Sequence, residues 1–438
     1  MKKFLKKTSL FLVTAAMTVS APLMAWALEH DIVILHTNDI HCGINDNIGF
    51  AGLAQIKKDA LARTPNVALV DAGDAIQGAP IGKLSRGLAV VDIMNYLGYD
   101  FCIPGNHEFD YGMDRFLELV PLQRAGYYCA NFVYAGNNKQ VLPGYKIMQY
   151  EDTKVAFVGA STPESLTTST PTFFQNEKGK YIYSFCEDKS GSKLYKQLQK
   201  NVDKARKDGA DYVFIVGHLG MDGTTPQWSS ESVAKNTQGV DAVIDGHSHE
   251  RFTRMVKNKV GKDVLLAQTG TKLKTVGELV ITPNGKLKSQ LITESNGKDA
   301  NIARVIAQEI KTYEPLLKQP VGEALVQLRS NDPATGERIV RNRECSLGDF
   351  VADAYRAVLD CDVVLANGNE IKTGVISYND LLEAFPFGNM CVVLEASGQQ
   401  ILDALEMGSM SYPEESGCFM QVSGLSYTLD SSVASSVE

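Results

Sequence analysis

Five short apolar segments of this chain are each followed at once by a polar group that can bind a metal or carry a proton. Each segment is rich in β-branched residues and bounded by Gly or Asp, which is typical of a buried strand in an α/β sheet. Because ligands of open α/β sheets bind outside the carboxyl ends of the strands, the pattern predicts one site at that edge. The segments and the polar groups after them are 32–35 with Asp39 and His41, 67–70 with Asp74, 101–103 with Asn106, His107 and Asp110, 213–216 with His218, and 242–244 with His247 and His249.

The spacing within these motifs favours a metal site. Asp39 and His41 lie two residues apart, as do His247 and His249, so in extended backbone each pair points to one side and can bind one ion. The loop at 104–110, read PGNHEFD, adds an amide, an imidazole and two carboxylates. Five of the seven histidines lie in these motifs. A single polar residue in a loop is usually only solvated. Five loops that each place such residues directly after a predicted strand indicate an active site.

Composition excludes some classes of protein. A chain of 438 residues with 44% hydrophobic and 21% charged residues can bury a sizeable core and is long enough for two domains. Its net charge of −8 argues against binding a nucleic-acid polymer as the main task. Eight cysteines allow disulfides, but their spacing gives no framework. Cys42, next to His41, is interpreted as a small neighbour and not as a metal ligand.

The first residues read as an export signal. Lysines at 2, 3, 6 and 7 precede an apolar stretch at 10–21, and Ala25-Trp26-Ala27 offers small residues to a signal peptidase. The apolar stretch is shorter than the ~20 residues that a membrane span needs. We expect cleavage after Ala27, export to the periplasm or the cell exterior, and no stable membrane anchor afterwards.

Apolar periodicity predicts helices between the strands. Helical spacing is seen at 50–61, 90–97, 195–207 and 301–317, with Pro315 and Pro320 marking the end of the last of these helices. A further helix is expected at 111–120, directly after the central motif.

The motifs NDIH at 38–41, DAGD at 71–74, GNHEFD at 105–110, GH at 217–218 and GHSH at 246–249 together resemble those of the calcineurin-like metallophosphoesterases. The longer motif from Gly105 to Gly112, together with Gln77-Gly78, resembles the motifs of the secreted bacterial 5′-nucleotidase and UDP-sugar hydrolase branch. The resemblance, from about residue 31 onward, implies an α/β fold. Its parts would be a signal peptide at 1–27, a four-layer metallophosphoesterase domain of two mixed sheets flanked by helices at 28–294, a linker helix at 295–318, and a smaller α/β substrate-binding domain at 319–438.

The predicted ligands form a mixed nitrogen and oxygen set that suits zinc, manganese, cobalt or iron. They are too many for one tetrahedral ion, whereas two divalent ions ~3.5–4 Å apart would use them all. The resemblance implies that Asp74 bridges the ions. It further implies that one ion binds Asp39, His41 and His249, and the other Asn106, His218 and His247.

The central motif also holds a candidate for proton transfer. His107 is assigned to stabilising the transition state or protonating the leaving oxygen, and Asp110 to orienting His107. The alternative for Asp110 is the N-cap of the helix at 111–120. Glu108 is interpreted as structural. His30 and His36 are expected to be merely hydrogen-bonded or solvated.

The second domain should bind the substrate. Arg341, in RNRECSLG at 341–348, matches the family arginine that meets the substrate phosphate. Asn367 and Lys372 come from NGNEIK at 367–372, where the family has Asn-Gly-Gly-Gly-Ile-Arg, and Phe387 fits a turn whose ring stacks on a nucleobase. The second aromatic of that clamp is missing from the sequence, so we expect a partial domain. Arg338 and Arg343 are interpreted as surface charge.

The function expected from these features is removal of phosphate from 5′-nucleotides by metal-activated water. Hydrolysis of 2′,3′-cyclic nucleotides with 3′-nucleotidase action, or of UDP-sugars, is the alternative within the same chemistry. An alternative of another class is a secreted protein that binds nucleotide or metal without turnover. The pair of His107 and Asp110 argues against a pure binder, which has no need of it.

Overall fold

The computed structural model describes residues 28–221, 225–366, 374–385 and 391–433. The predicted export signal at 1–27 lies outside these ranges, as do the substrate-binding candidates Asn367, Lys372 and Phe387. None of the described helices is long and apolar enough to span a membrane.

Up to residue 292 the chain alternates strands with helices. The strands are β1 (Ile32–Thr37), β2 (Val67–Asp71), β3 (Phe101–Cys102), β4 (Val133–Tyr134), β5 (Tyr145–Tyr150), β6 (Thr153–Ser161), β7 (Tyr183–Ser184), β8 (Tyr212–His218), β9 (Ala242–Ile244), β10 (Arg251–Lys257), β11 (Asp263–Thr269), β12 (Val276–Ile281) and β13 (Leu287–Ile292). The helices are α1 (Gly49–Arg63), α2 (Pro80–Ser85), α3 (Leu88–Leu97), α4 (Met113–Leu119), α5 (Ser165–Thr168), α6 (Ser192–Lys207) and α7 (Ser230–Asn236). All five predicted strands are present.

Two mixed sheets form the centre of this part. The first has the order β13-β12-β1-β2-β3, and the second β10-β11-β9-β8-β6-β5. β1, β2 and β3 run parallel, as do β6, β8, β9 and β11, while β5, β10, β12 and β13 join antiparallel. The carboxyl ends of the parallel strands therefore carry all five predicted motifs.

The buried apolar side chains separate into three layers. Ile34, Val70 and Phe101 of the first sheet pack with Phe157 and Val216 of the second, between the sheets. One further cluster joins the outer face of the first sheet to α1, α3 and α4, and another joins the second sheet to α6 and α7. This is a four-layer sandwich of helices, two sheets and helices, as the resemblance implied. Cys42 is buried within the first outer cluster, as expected of a small neighbour.

The helix after the central motif differs from the prediction. A 3₁₀ turn at His107–Phe109 comes first, and α4 begins only at Met113. The residue at its N-cap is Gly112, with no side-chain hydrogen bond to the helix, so the N-cap role for Asp110 is wrong. The helices predicted at 50–61, 90–97 and 195–207 are confirmed as α1, α3 and α6.

The helix α8 (Ala300–Leu317) joins the sandwich to the rest of the chain. Its N-cap Asp299 accepts hydrogen bonds from the backbone N–H groups of Asn301 and Ile302. The helix predicted at 301–317 is thereby confirmed, with Pro315 inside its last turn and Pro320 beyond its end. Ile302 and Ile306 are buried, and α8 packs on α1, α2 and α3.

The described residues of the C-terminal part form two pairs of short strands and three helices. Its elements are β14 (Pro320–Ala324), α9 (Ser346–Leu359), β15 (Val364–Ala366), β16 (Gly374–Ser377), α10 (Tyr378–Ala384), α11 (Gly398–Ser409) and β17 (Gln421–Ser423). β14 pairs with β16 and β15 with β17, both antiparallel. Lys83 of α2 donates a hydrogen bond to the carbonyl oxygen of Phe385 at 2.7 Å, which ties this part to the helix after the Asp74 loop.

Candidate metal and active site

Side chains from the five strand ends converge at one place. Two groups have ligand atoms within 4.8 Å of one another, the first Asp39, His41 and His249, the second Asp39, Asp74 and His218. Asn106 joins the second group, since its Oδ1 lies 3.2 Å from Nε2 of His218. The structure therefore brings together six of the seven predicted ligands, and His247 is adjacent, with its ring centroid 5.1 Å from that of His218.

Five of the seven predicted ligands have left-handed backbone. The φ angles are +50° for Asp39, +47° for His41, +58° for Asp74, +80° for His247 and +56° for His249. Residues with a Cβ rarely adopt this region, and they keep it only where the surroundings impose it. Residues with a left-handed backbone are concentrated at functional sites. The conformation of these loops therefore supports a functional site here.

Glycines allow the loops to approach one another closely. A Cβ on Gly105 would lie 2.3 Å from Oδ1 of Asp74, and one on Gly73 would lie 2.6 Å from the nitrogen of Gly105. Only a residue without a side chain fits at either position. The backbone N–H of Asp39 also donates to the carbonyl oxygen of Gly73, at 2.9 Å.

Backbone carbonyls fix the tautomers of two imidazoles. Nδ1 of His218 lies 2.8 Å from the carbonyl oxygen of Ala72, and Nδ1 of His41 lies 3.1 Å from that of Gln77. Because a carbonyl only accepts, each Nδ1 carries the hydrogen, and in the neutral ring Nε2 keeps its lone pair.

These lone pairs face other acceptors. Nε2 of His218 is 3.0 Å from Oδ2 of Asp74, and Nε2 of His41 is 3.2 Å from Nε2 of His249. Acceptors directed at acceptors repel one another unless a proton or a metal ion lies between them. The donor set and its geometry therefore fit divalent metal ions with nitrogen and oxygen ligands.

The electrostatics of the site also favour positive charge. Although burial opposes the charged ring, Asp74 and Asp39 outweigh it and raise the pKa of His218 to about 10. Burial likewise opposes ionisation of Asp74, yet His218 and His107 hold the pKa of this carboxyl well below its usual value. The buried carboxylates stabilise positive charge on these imidazoles, as they would stabilise a bound cation.

The predicted pair of His107 and Asp110 is present and has a third member. Nδ1 of His107 is 2.7 Å from Oδ2 of Asp110, whose other oxygen accepts a hydrogen bond from Oγ of Ser169 at 2.9 Å. Burial opposes charge on His107, but Asp74 and Asp110 overcome it and raise the pKa of this ring to about 9. The ring lies at the metal-ligand cluster, 5.4 Å from that of His41 between centroids.

Glu108, to which the sequence assigned no task, holds two loops of the site. Its buried carboxylate accepts hydrogen bonds from the backbone N–H groups of Asp74 (2.8 Å), Ala75 (2.8 Å), Ile76 (3.3 Å) and Gly105 (2.6 Å). A carboxylate is the side chain best suited to several N–H donors at once. The structural role predicted for Glu108 is confirmed, but the sequence did not show its partners, because most of the bonds join residues more than thirty positions apart.

Two further buried polar groups fix the ligands. Asn38 donates to Oδ2 of Asp39 at 2.6 Å, and Asp245 accepts the N–H of Leu219, next to His218, at 3.0 Å. Both residues lie close to predicted ligands in the sequence, which is the only local signal for them. On the β6 side, Oε2 of Glu164 lies 2.8 Å from Nε2 of His247.

The remaining candidates lie away from this cluster or differ from expectation. Arg341 is half-buried in the C-terminal part, where burial lowers the pKa of its guanidinium. Arg338 and Arg343 make surface ion pairs with Glu415 and Asp332, as surface charges do. His36 was expected to be hydrogen-bonded or solvated, but it is fully buried and neither ring nitrogen has a hydrogen-bond partner among the described residues.

Comparison with known proteins identifies the family. Residues 32–251 match the calcineurin-like phosphoesterase model, so the chain belongs to that family of metal-dependent phosphoesterases. Residues 320–436 match the 5′-nucleotidase C-terminal domain, the combination that the sequence motifs predicted.

Similar proteins extend over both parts of the chain. The chain is 26% identical to snake venom 5′-nucleotidase of Gloydius brevicauda, over 96% of this chain and 77% of that protein. It is also 26% identical to the trifunctional nucleotide phosphoesterase protein YfkN of Bacillus subtilis, over 91% of this chain and 29% of that protein. The crystal structure of a 5′-nucleotidase precursor from Thermus thermophilus superposes with a TM-score of 0.73 at 26% identity, covering 93% of this chain and 84% of that one.

Proposed function

We propose that this chain is an exported phosphohydrolase that removes phosphate from 5′-nucleotides with the help of two divalent metal ions. The proposal rests on one observation: imidazole nitrogens and carboxylate oxygens from five loops lie close together at one place. Nε2 of His218 faces Oδ2 of Asp74 at 3.0 Å, a contact that a metal ion satisfies. We assign one ion to Asp39, His41 and His249 and the other to Asn106, His218 and His247.

Asp74 is proposed as the bridging ligand. Its Oδ2 lies 3.0 Å from Nε2 of His218 and 3.9 Å from Nε2 of His41, so this one oxygen is near a histidine of each set. Zinc, manganese, cobalt or iron suits these donors. Bound ions of this kind lower the pKa of water and neutralise charge on phosphoryl oxygens.

His107 and Asp110 are proposed to handle the leaving group. Asp110 holds Nδ1 of His107, so the proton for the leaving oxygen would come from Nε2. The negative charge of Asp110 at Nδ1 favours the protonated ring and so supports His107 as the proton donor. Ser169 fixes the second oxygen of Asp110 and so limits rotation of the carboxylate.

The nucleotide is proposed to bind through the C-terminal part. Arg341 would meet the phosphate, Asn367 and Lys372 would contribute further substrate contacts, and Phe387 would stack on the base. The similar proteins named 5′-nucleotidase support this substrate class. Similarity to a trifunctional nucleotide phosphoesterase supports the same class, and cyclic nucleotides stay the second candidate substrate. We place the domain boundaries at 28–294 and 319–438, with α8 between them, and infer export from the pattern of residues 1–27.

The test is phosphate release by the purified protein with manganese or zinc, with and without a chelator. AMP, cyclic 2′,3′-AMP, UDP-glucose and p-nitrophenyl phosphate are compared at equal concentration. The proposal predicts fastest release from AMP and none with the chelator. Turnover of p-nitrophenyl phosphate alone would contradict the nucleotide specificity, and no turnover with any ester or metal would indicate a binding protein.

A further inference from the structure

We infer that Glu164 is a positioning residue that holds His247 with its hydrogen on Nε2 and so presents Nδ1 to a metal ion. The inference rests on the proposed function in one respect, the presence of an ion next to His247. The loop after β6 carries none of the predicted ligands, and nothing in the sequence motifs assigned it a role.

The contact between the two side chains is close and largely shielded from water. Oε2 of Glu164 lies 2.8 Å from Nε2 of His247, and the two side chains are 16% and 18% exposed. The other oxygen, Oε1, accepts a hydrogen bond from the hydroxyl of Thr225. Glu164 is thereby anchored on a second side, which limits the positions that its carboxylate can take.

The hydrogen bond decides which nitrogen of His247 can bind a metal. A carboxylate only accepts, so the nitrogen facing it carries the hydrogen, and in the neutral ring the lone pair is on Nδ1. His41 and His218 show the opposite arrangement, because backbone carbonyls accept from their Nδ1 atoms. In this arrangement His41 and His218 would bind metal through Nε2, whereas His247 would bind through Nδ1.

The backbone of His247 is fixed from a separate direction. Its N–H group lies 3.0 Å from Oδ2 of Asp39, and its φ is +80°. A Cβ on Gly220 would lie 3.1 Å from Cδ2 of His247, so the ring edge next to Nε2 packs against a glycine. With backbone and ring edge held in place, the charge at Nε2 selects the tautomer.

The segment after β6 supports a second histidine at its other end. Glu164 precedes α5 and contacts His247, whereas Ser169 follows α5 and donates to Asp110, the partner of His107. A single turn of helix therefore orients two imidazoles of the site without supplying a ligand of its own.

The experiment compares the wild-type protein with Glu164→Gln and with Glu231→Gln as a matched control. Glu231 lies on α7, pairs with Arg254 and Lys235, and loses the same charge in the control. The tautomer of His247 is read from long-range ¹H–¹⁵N spectra of metal-free protein labelled with ¹⁵N-histidine. The dissociation constants for zinc are measured by equilibrium dialysis with metal analysis.

We expect the Nε2–H tautomer of His247 in the wild type and in Glu231→Gln, and its loss or mixing in Glu164→Gln. Binding of one zinc ion should weaken ~10–100-fold in Glu164→Gln, as is usual when the hydrogen-bond partner of a ligand is changed, while the other ion binds as before. An unchanged tautomer together with both dissociation constants within about twofold of the wild type would overturn the inference. If the wild type itself binds fewer than two ions, the dinuclear proposal fails, and the tautomer still tests Glu164.

Discussion

The carboxylate of Glu108 accepts the backbone N–H of Asp74 at 2.8 Å, and it also accepts the N–H of Gly105 at 2.6 Å. These bonds tie the loop after β2 to the loop after β3, so the distance between Asp74 and Asn106 is set by a residue that is itself no predicted ligand. The candidate site therefore depends on buried carboxylates with two roles. Some are predicted to bind metal ions, and Glu108 accepts hydrogen bonds from the backbone.

Replacing Glu108 with alanine should destabilise the protein strongly. The change leaves four backbone N–H groups, now accepted by Glu108, without their acceptor. Buried unsatisfied groups cost ~1–3 kcal/mol each, so we expect a loss of about 3 kcal/mol or more in the free energy of unfolding. Urea unfolding measures it, with Glu118→Ala on α4 as an exposed control. A loss as small as that of the control would contradict the role of Glu108.

Replacing Gly105 with alanine should damage the metal site directly. The new Cβ would lie 2.3 Å from Oδ1 of Asp74, so the carboxylate must move. We expect a loss of ~1–3 kcal/mol in the free energy of unfolding, typical of overpacking, together with reduced zinc content. Gly136→Ala is the control, because nothing lies within 4 Å of its added Cβ. Equal zinc content in the two variants would show that the approach of Gly105 to Asp74 is unimportant.

Replacing His107 with alanine should separate catalysis from metal binding. General acid groups contribute ~10²–10⁴-fold, so kcat for AMP should fall by that factor while the metal content stays at the wild-type level. His30→Ala is the control, since His30 is half-exposed and paired with Glu151 at the surface. A kcat within about threefold of the wild type would remove His107 from the mechanism.

His36 should make the fold sensitive to acid. Burial lowers the pKa of this ring from 6.5 to about 4. Between these two pH values the ring is protonated in the unfolded chain but neutral in the folded one. The contribution of His36 to stability is complete above pH 6.5 and falls as the pH drops toward 4. Between about pH 7.5 and 5 the loss due to His36 should be about 2 kcal/mol in the free energy of unfolding.

His36→Phe isolates this effect. A Cβ on Gly277 would lie 1.9 Å from Nε2 of His36, which shows that the ring packs directly on this glycine, and phenylalanine keeps that packing. We compare urea unfolding of the two proteins at both pH values in the presence of a chelator. The gap in stability between them should widen by about 2 kcal/mol at the lower pH. A constant gap would mean that His36 does not titrate as inferred.

The strands follow from the sequence because each depends on local pattern, and the polar groups after them could be predicted from their place at the strand ends. The apolar run at 213–216 specifies β8, but His218 at its end meets Asp74, which follows β2 of the other sheet, only because the two sheets pack face to face. The helix start after the central motif was misplaced because the 3₁₀ turn at His107–Phe109 precedes it and delays the helix to Met113.

The residues that orient the ligands have no such pattern. The hydrogen bond between Glu164 and His247 joins positions 83 apart, and that between Ser169 and Asp110 joins positions 59 apart. A single Glu or Ser in a loop has the same appearance in the sequence whether it orients a histidine or faces water. Only the folded structure distinguishes the two cases.

The most direct test of the account is a titration of the metal-free protein with manganese while phosphate release from AMP is followed. The account predicts that hydrolysis develops only as the second ion per chain binds, and that Asp74→Asn, which alters the proposed bridging ligand, abolishes it. Full hydrolysis at one ion per chain, or in the metal-free protein, would contradict the two-metal site.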